Sequence, residues 1–137
     1  LEDACERHGP AGGILTALRF AKDADFSAVL ALACDMPFLT RELLDRLLLA
    51  HARRKEKILL TAYAQNHGPL ESLCAVYAKE SLAYFETAFS LGKYSLQAVV
   101  PDDLIQRLPM GESEYHALYN VNTPEDLALM RRNFGGD

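Results

Sequence analysis

The chain has 137 residues, half of them hydrophobic, which is the length of one domain with enough apolar material to bury a core. The formal net charge is −5, and the basic residues are scattered or paired (Arg53, Arg54 and Lys55, then Arg131 and Arg132), which argues against the basic face that nucleic acid needs but leaves room for a small anion. Cys5, Cys34 and Cys74 show no CxxC spacing and no apolar run reaches a membrane span, so the composition points to a reduced, cytoplasmic protein rather than a disulfide scaffold, a zinc site or a membrane protein.

The first residues, LEDACERH, carry neither an initiator methionine nor a signal peptide, and they look like the end of an element already under way. An N-terminal truncation is therefore expected. Residues 9–22 open with a Gly/Pro turn, after which Ile14, Leu18 and Ala21 recur at helical spacing. The run SAVLALA (27–33) is short and apolar throughout, which predicts a strand covered on both faces, as in a parallel sheet. A helix is predicted over 40–54, with Thr40 as its N-cap and Glu42 in the positive first turn. Leu43, Leu44, Leu47, Leu48 and His51 form its expected inward stripe.

KILLTAYA (57–64) and SLCAVYA (72–78) read as strands joined by the turn QNHGP. Their close spacing predicts a hairpin-like, mixed edge of the sheet. A helix follows over 79–90, with Ala78, Leu82, Phe85 and Phe89 on one face. YSLQAVV (94–100) reads as a further short helix and DLIQRLP as a strand. In the tail, TPEDLALMRRNF (123–134), Thr123 caps, Pro124 fits the first helical position, and Glu125 and Asp126 complement the dipole. Strands alternating with helices give an α/β fold with a mainly parallel, partly mixed sheet.

Three stretches have the residue types for chemistry. Asp35 follows the carboxyl end of a predicted buried strand, the place where open α/β sheets bind ligands. A carboxylate there suits Mg²⁺, which takes oxygen ligands and shares them with substrate phosphates. It equally suits a cap on the turn before the next helix, and the stretch alone leaves both readings open. GPAGG (9–13) precedes a helix, and glycines let backbone N–H groups approach an anion closely; it is neither a Walker loop nor GxGxxG, and a plain turn is the commoner use of such a stretch. In NVNTPED (120–126), Asn120 and Asn122 share one side of an extended segment. Their amides suit a ribose, a base edge or a pterin, or else an Asx turn into the helix cap. No GxSxG elbow is present, and His8, His51, His67 and His116 lack metal-ligand spacing. Asp102 and Asp103 read as a solvated turn.

Taken in order, GPAGGI (9–14), CDMPFLT (34–40) and NVNTPEDL (120–127) resemble the molybdenum cofactor guanylyltransferases, and LCAVY (73–77) resembles the family strand after the hairpin. The resemblance implies a three-layer, Rossmann-like nucleotidyltransferase fold in a single domain over 1–137, lacking the first βα unit with its glycine-rich loop. It implies transfer of GMP from GTP to molybdopterin with release of pyrophosphate. Asp35 matches the family aspartate that binds the catalytic Mg²⁺. Asp3 matches an aspartate that contacts the nucleotide, Gly9 and Gly13 match the GPxxG glycines, and Asn120 and Asn122 match the paired asparagines near the cleft, on the pterin or metal side. Asparagines rather than aspartates in that last stretch favour GTP over the CTP of the related cytidylyltransferases.

Two features depart from the pattern: Ala11 stands for the commoner leucine, and Ser72 for a frequent proline. Without the basic glycine-rich loop the chain is expected to be inactive, or nearly so, on its own. Transient contact with cofactor-synthesis or molybdoenzyme-maturation proteins is also implied. The alternatives are another nucleotidyltransferase of the same fold and a non-catalytic nucleotide-binding fragment.

Overall fold

The computed structural model describes residues 9–33, 36, 39–65 and 68–118. Helix α1 (Pro10–Asp23) leads into strand β1 (Ala28–Leu32), helix α2 (Arg41–Ala52), strands β2 (Leu60–Ala64) and β3 (Leu70–Ala78), a 3₁₀ turn (Lys79–Ser81), helix α3 (Leu82–Ser90), a second 3₁₀ turn (Asp102–Leu104), strand β4 (Ile105–Pro109) and helix α4 (Glu112–Leu118). The described strands form one sheet in the order β1-β3-β2-β4. β3 is antiparallel to β1 and to β2, whereas β4 is parallel to β2. Three strands thus share a direction, and the reversed strand lies between two of them. The mixed part of the sheet is its interior, and not the edge that the hairpin spacing predicted.

Helices cover both faces, giving three layers. On one face Ile14, Leu15 and Leu18 of α1 and Leu82 and Phe85 of α3 pack on Leu60, Ala62, Ala75 and Tyr77. On the other, Leu43 and Leu47 of α2 and Tyr115 and Leu118 of α4 pack on Tyr63, Cys74 and Val76. The alternation along β2 and β3 is the period of two that lets one strand serve two cores.

Local chemistry explains most element ends. Pro10 opens α1 with its fixed φ and no N–H to lose. Thr40 caps α2, its hydroxyl accepting from the Leu43 N–H at 3.2 Å. The turn after β2 closes with the Gly68 N–H donating to the Gln65 carbonyl at 3.0 Å.

Three expectations are corrected. Among the described residues β1 is not covered on both faces: β3 is its one described neighbour, and Leu30 and Leu32, paired with Val76 and Cys74, are 40% and 43% exposed. The α2 stripe is narrower than predicted, with Leu43, Leu47 and His51 buried and Leu48 exposed. Residues 94–100 form no helix; turns run through them, because Gln97 spends its amide on β3, as described below. Helix α4 was not anticipated. The expected tail helix over 123–134 lies outside the described residues.

Candidate active site

The carboxyl ends of β1, β2 and β4 share one edge of the sheet with the start of β3, as the registers Leu32↔Cys74, Ala64↔Leu70 and Ala64↔Pro109 require. A cavity of about 400 Å³ at this edge is lined by Pro10 from the α1 start, Ala33 and Met36 after β1, Leu70–Leu73 of β3, and Tyr94, Leu96 and Gln97 of the following loop. Ala33 and Met36 flank Cys34 and Asp35 in sequence. The two stretches GPAGG and CDMPFLT therefore contribute to one cavity, although they are twenty-odd residues apart in sequence.

Gly9 holds φ +66° and ψ −154°, a conformation that disfavours every residue with a Cβ, although a Cβ there would meet nothing within 4 Å. The helix begins at Pro10, so Gly12 and Gly13 lie in its first turn rather than in a loop before it. The Gly12 N–H donates to the Gly9 carbonyl at 3.1 Å. Among the described residues no side chain caps this terminus, and its first turn contains no acid. The positive end of the dipole is left for an incoming anion.

Gln97 builds the far wall. Its Oε1 accepts from the Leu70 N–H at 2.8 Å, and its Nε2 donates to the Leu70 carbonyl at 3.0 Å and to the Ser72 hydroxyl at 2.8 Å. One side-chain amide thereby does what a neighbouring strand residue does for a backbone. Ser72, which departs from the expected proline, is buried and takes part in this contact. Phe89 meets the Tyr94 ring edge to face at 4.8 Å between centroids.

A larger cavity, about 560 Å³, lies over the ends of β2 and β4, between the Gln65–Gly68 turn and Met110. Arg107 lines it, with its guanidinium paired to Asp102 at 3.2 Å. A third cavity, about 310 Å³, lies between α2 and α4. There Arg46 donates to Glu114 Oε1 at 3.1 Å and to the Pro109 carbonyl at 3.2 Å, with its guanidinium carbon 5.2 Å from the Tyr63 ring centroid. Tyr63 in turn donates to the Leu43 carbonyl at 2.8 Å. This cluster ties the helix after the Asp35 stretch to the helix just before the Asn120 stretch.

Of the sequence-derived candidates, the structure describes Gly9 and Gly13; Asp3, Asp35, Asn120 and Asn122 lie outside the described residues, as do Cys5 and Cys34. Cys74 is buried and free, and burial pushes its thiol up to about 11, so it is inert. Among the described residues no three His, Cys, Asp or Glu side chains group to hold a metal. The polar side chains of residues lining the 400 Å³ cavity are Glu71, Ser72, Tyr94 and Gln97, all of them oxygen-bearing, with the Gln97 amide and the Ser72 hydroxyl bonded to each other; among them a carboxylate is the kind of ligand Mg²⁺ takes. Sequence reasoning missed Glu71, Tyr94, Gln97 and Arg46. The partners of Gln97 and Arg46 are remote in sequence, and no local signal marks them. Among the described residues no helix is long and apolar enough to cross a membrane.

Residues 1–108 match the model of the MobA-like NTP transferase domain. A molybdenum cofactor guanylyltransferase of Pseudomonas putida is 35% identical over 120 residues, which is 87% of this chain and 58% of that protein. The solved structure of molybdopterin-guanine dinucleotide biosynthesis protein A from Archaeoglobus fulgidus is similar at TM-score 0.58 and 25% identity, covering 91% of this chain and 60% of that one. A protein structure from Aquifex aeolicus VF5 is similar at TM-score 0.66 and 26% identity, covering 83% and 56%. The chain thus spans less than two thirds of the length of these relatives.

Proposed function

Because the chain belongs to the MobA-like NTP transferase domain family, we propose that it serves guanylyl transfer in molybdenum cofactor biosynthesis. A phosphate oxygen of molybdopterin attacks the α-phosphorus of GTP. A new P–O bond forms, the bond from that phosphorus to the β-phosphate bridge breaks, and pyrophosphate leaves. The observation carrying this reading is the convergence of an uncapped helix start and both flanks of Asp35 on one cavity at the carboxyl edge of the sheet.

Phosphoryl-type transfers depend chiefly on positioning and on neutralising charge. In this reading Asp35 would hold Mg²⁺. Bound there, the ion supplies neutralisation and orientation of the phosphates. The α1 start places backbone N–H groups and the dipole toward phosphate. Gly9 sets the angle at which the chain enters that helix, and Gln97 fixes the opposite wall. By the family resemblance Asp3 would serve the nucleotide, and Asn120 and Asn122 the pterin or metal side.

The test is calorimetric titration of GTP and CTP, with and without Mg²⁺, into the chain and its Asp35→Asn variant. Mg²⁺-dependent binding of GTP in preference to CTP is expected, with about a tenfold or greater loss in the variant, the order of one charged contact. Binding that ignores Mg²⁺, or that the variant retains in full, rejects the reading. Transfer itself is read as pyrophosphate release on adding molybdopterin.

A further inference from the structure

We infer that Gln97 is a positioning residue for nucleotide binding: it braces an irregular stretch of β3 that forms one wall of the 400 Å³ cavity. The inference deepens the transfer reading above and rests on it, since that reading brings nucleotide phosphate to this cavity.

The wall is made by a slip in the sheet. Ala62 of β2 pairs with Ala75, but Ala64 pairs with Leu70. Two steps along β2 therefore answer five along β3, and the excess residues lie between Leu70 and Ala75. Bulges bend a strand and re-aim its side chains, and they are common beside active sites. The β3 residues that line the cavity, Leu70–Leu73, belong to this stretch, and Pro10 at the start of α1 lines the same cavity. A further hydrogen bond marks the bend: the Tyr77 hydroxyl donates to the Ser72 carbonyl at 2.9 Å. Five residues of regular strand span about 16 Å, far beyond the reach of a tyrosine side chain, so this bond exists only because the strand doubles up here.

Residues in excess of the ladder leave backbone groups that need other partners. Gln97 supplies them at Leu70, accepting from its N–H and donating to its carbonyl, and it also donates to the Ser72 hydroxyl. The Leu70 donor and acceptor together fix which way round the amide lies. Residues 70–72 are thus held by the buried Tyr77 and by the loop that carries Gln97. A wall held in place before a ligand arrives lowers the ordering cost of binding. Gln97 is itself exposed, so replacing it removes hydrogen bonds without opening a cavity in either core. Its effect on binding therefore separates from any effect on stability.

The experiment titrates Mg²⁺·GTP into the chain, Gln97→Met, Gln97→Glu and Ser72→Ala, with the folded fraction of each followed by circular dichroism. Gln97→Met keeps the length of the side chain and loses all three bonds; its affinity should fall about three- to tenfold while the protein stays folded. Ser72→Ala leaves both bonds to Leu70 and should lose less. Gln97→Glu keeps the acceptor for the Leu70 N–H but turns its second oxygen toward the Leu70 carbonyl. At pH 8 it should bind no better than Gln97→Met. At pH 5 its carboxyl, whose charged form that carbonyl disfavours, takes up a proton and donates, and affinity should return toward that of the parent. Glu71 and Tyr94 line the same cavity and are common to parent and variant, so each comparison is made with the parent at the same pH. Should Gln97→Met fail to fold, the pH response of Gln97→Glu decides. The inference alone is overturned if the parent binds and the folded Gln97 variants bind as it does, if affinity falls only in step with the folded fraction, or if Gln97→Glu loses equally at both pH values. A parent that binds no Mg²⁺·GTP rejects the transfer reading and this inference with it.

Discussion

His51 gives the protein a built-in acid sensitivity whose size can be worked out. Its side chain is 6% exposed, at the end of α2. Nδ1 lies 2.8 Å from Thr61 Oγ1, and that hydroxyl donates to Gln106 Oε1 at 3.2 Å. With the hydroxyl proton so committed, Nδ1 carries the imidazole proton and Nε2 is the bare nitrogen, and Nε2 has no described partner. Protonating it places a charge and a new N–H where nothing accepts them. Burial, and next the Arg54 guanidinium, lower the His51 pKa to about 4, with Glu80 opposing them. The unfolded chain titrates near 6.5, so between these values it binds the extra proton and the native state does not. The contribution is fully present above pH 6.5 and is lost as pH falls toward 4. Going from pH 7.5 to 5 should cost about 2 kcal/mol from this group alone, or a fall in Tm of about 6 °C at this chain length. Urea unfolding of the parent and of His51→Leu at both pH values measures it. The variant should lose that much less stability across the interval. Equal pH dependence in the two proteins would refute the protonation argument.

Leu47 is fully buried between α2 and the sheet; Leu47→Ala should lower the urea-unfolding free energy by about 2–5 kcal/mol. Gly9→Ala should cost about 1–3 kcal/mol, entirely through the backbone, since the space for a methyl group is open. A thermal melt showing no loss would reject the backbone explanation.

The sequence was informative where short-range chemistry decides the outcome. Pro10 and Thr40 mark helix starts through their own geometry and hydroxyl, and the two apolar runs joined by the QNHGP turn are the strands β2 and β3. It misled where tertiary position overrides local pattern. Leu30 and Leu32 read like core because the run around them is apolar, yet β1 has one described neighbouring strand and both side chains stay partly exposed. Residues 94–100 have a helix-compatible pattern, but three hydrogen bonds from Gln97 hold them against β3 instead. In the site, Gly9 was legible through its turn chemistry. Tyr94, Glu71 and Arg46 were not, because each acquires its meaning from elements remote in the chain. Asp35, the residue on which the metal reading rests, was singled out by its place after an apolar run, and Ala33 and Met36 on either side of it do line the cavity.

The reversed strand β3 also sets the order in which the sheet can be assembled cheaply. Its junction with β2 closes only residues 65–69, whereas β1 reaches β3 across residues 33–69, and β4 reaches β2 across residues 65–104. Closure entropy grows with the logarithm of loop length, and roughly three doublings separate the short connection from the long ones, about 2 kcal/mol. The local pair occupies the centre of the described sheet and the distant pairings lie at its margins. The chain can therefore nucleate on a hairpin and add strands outward on both sides, each new strand docking on a template that already exists.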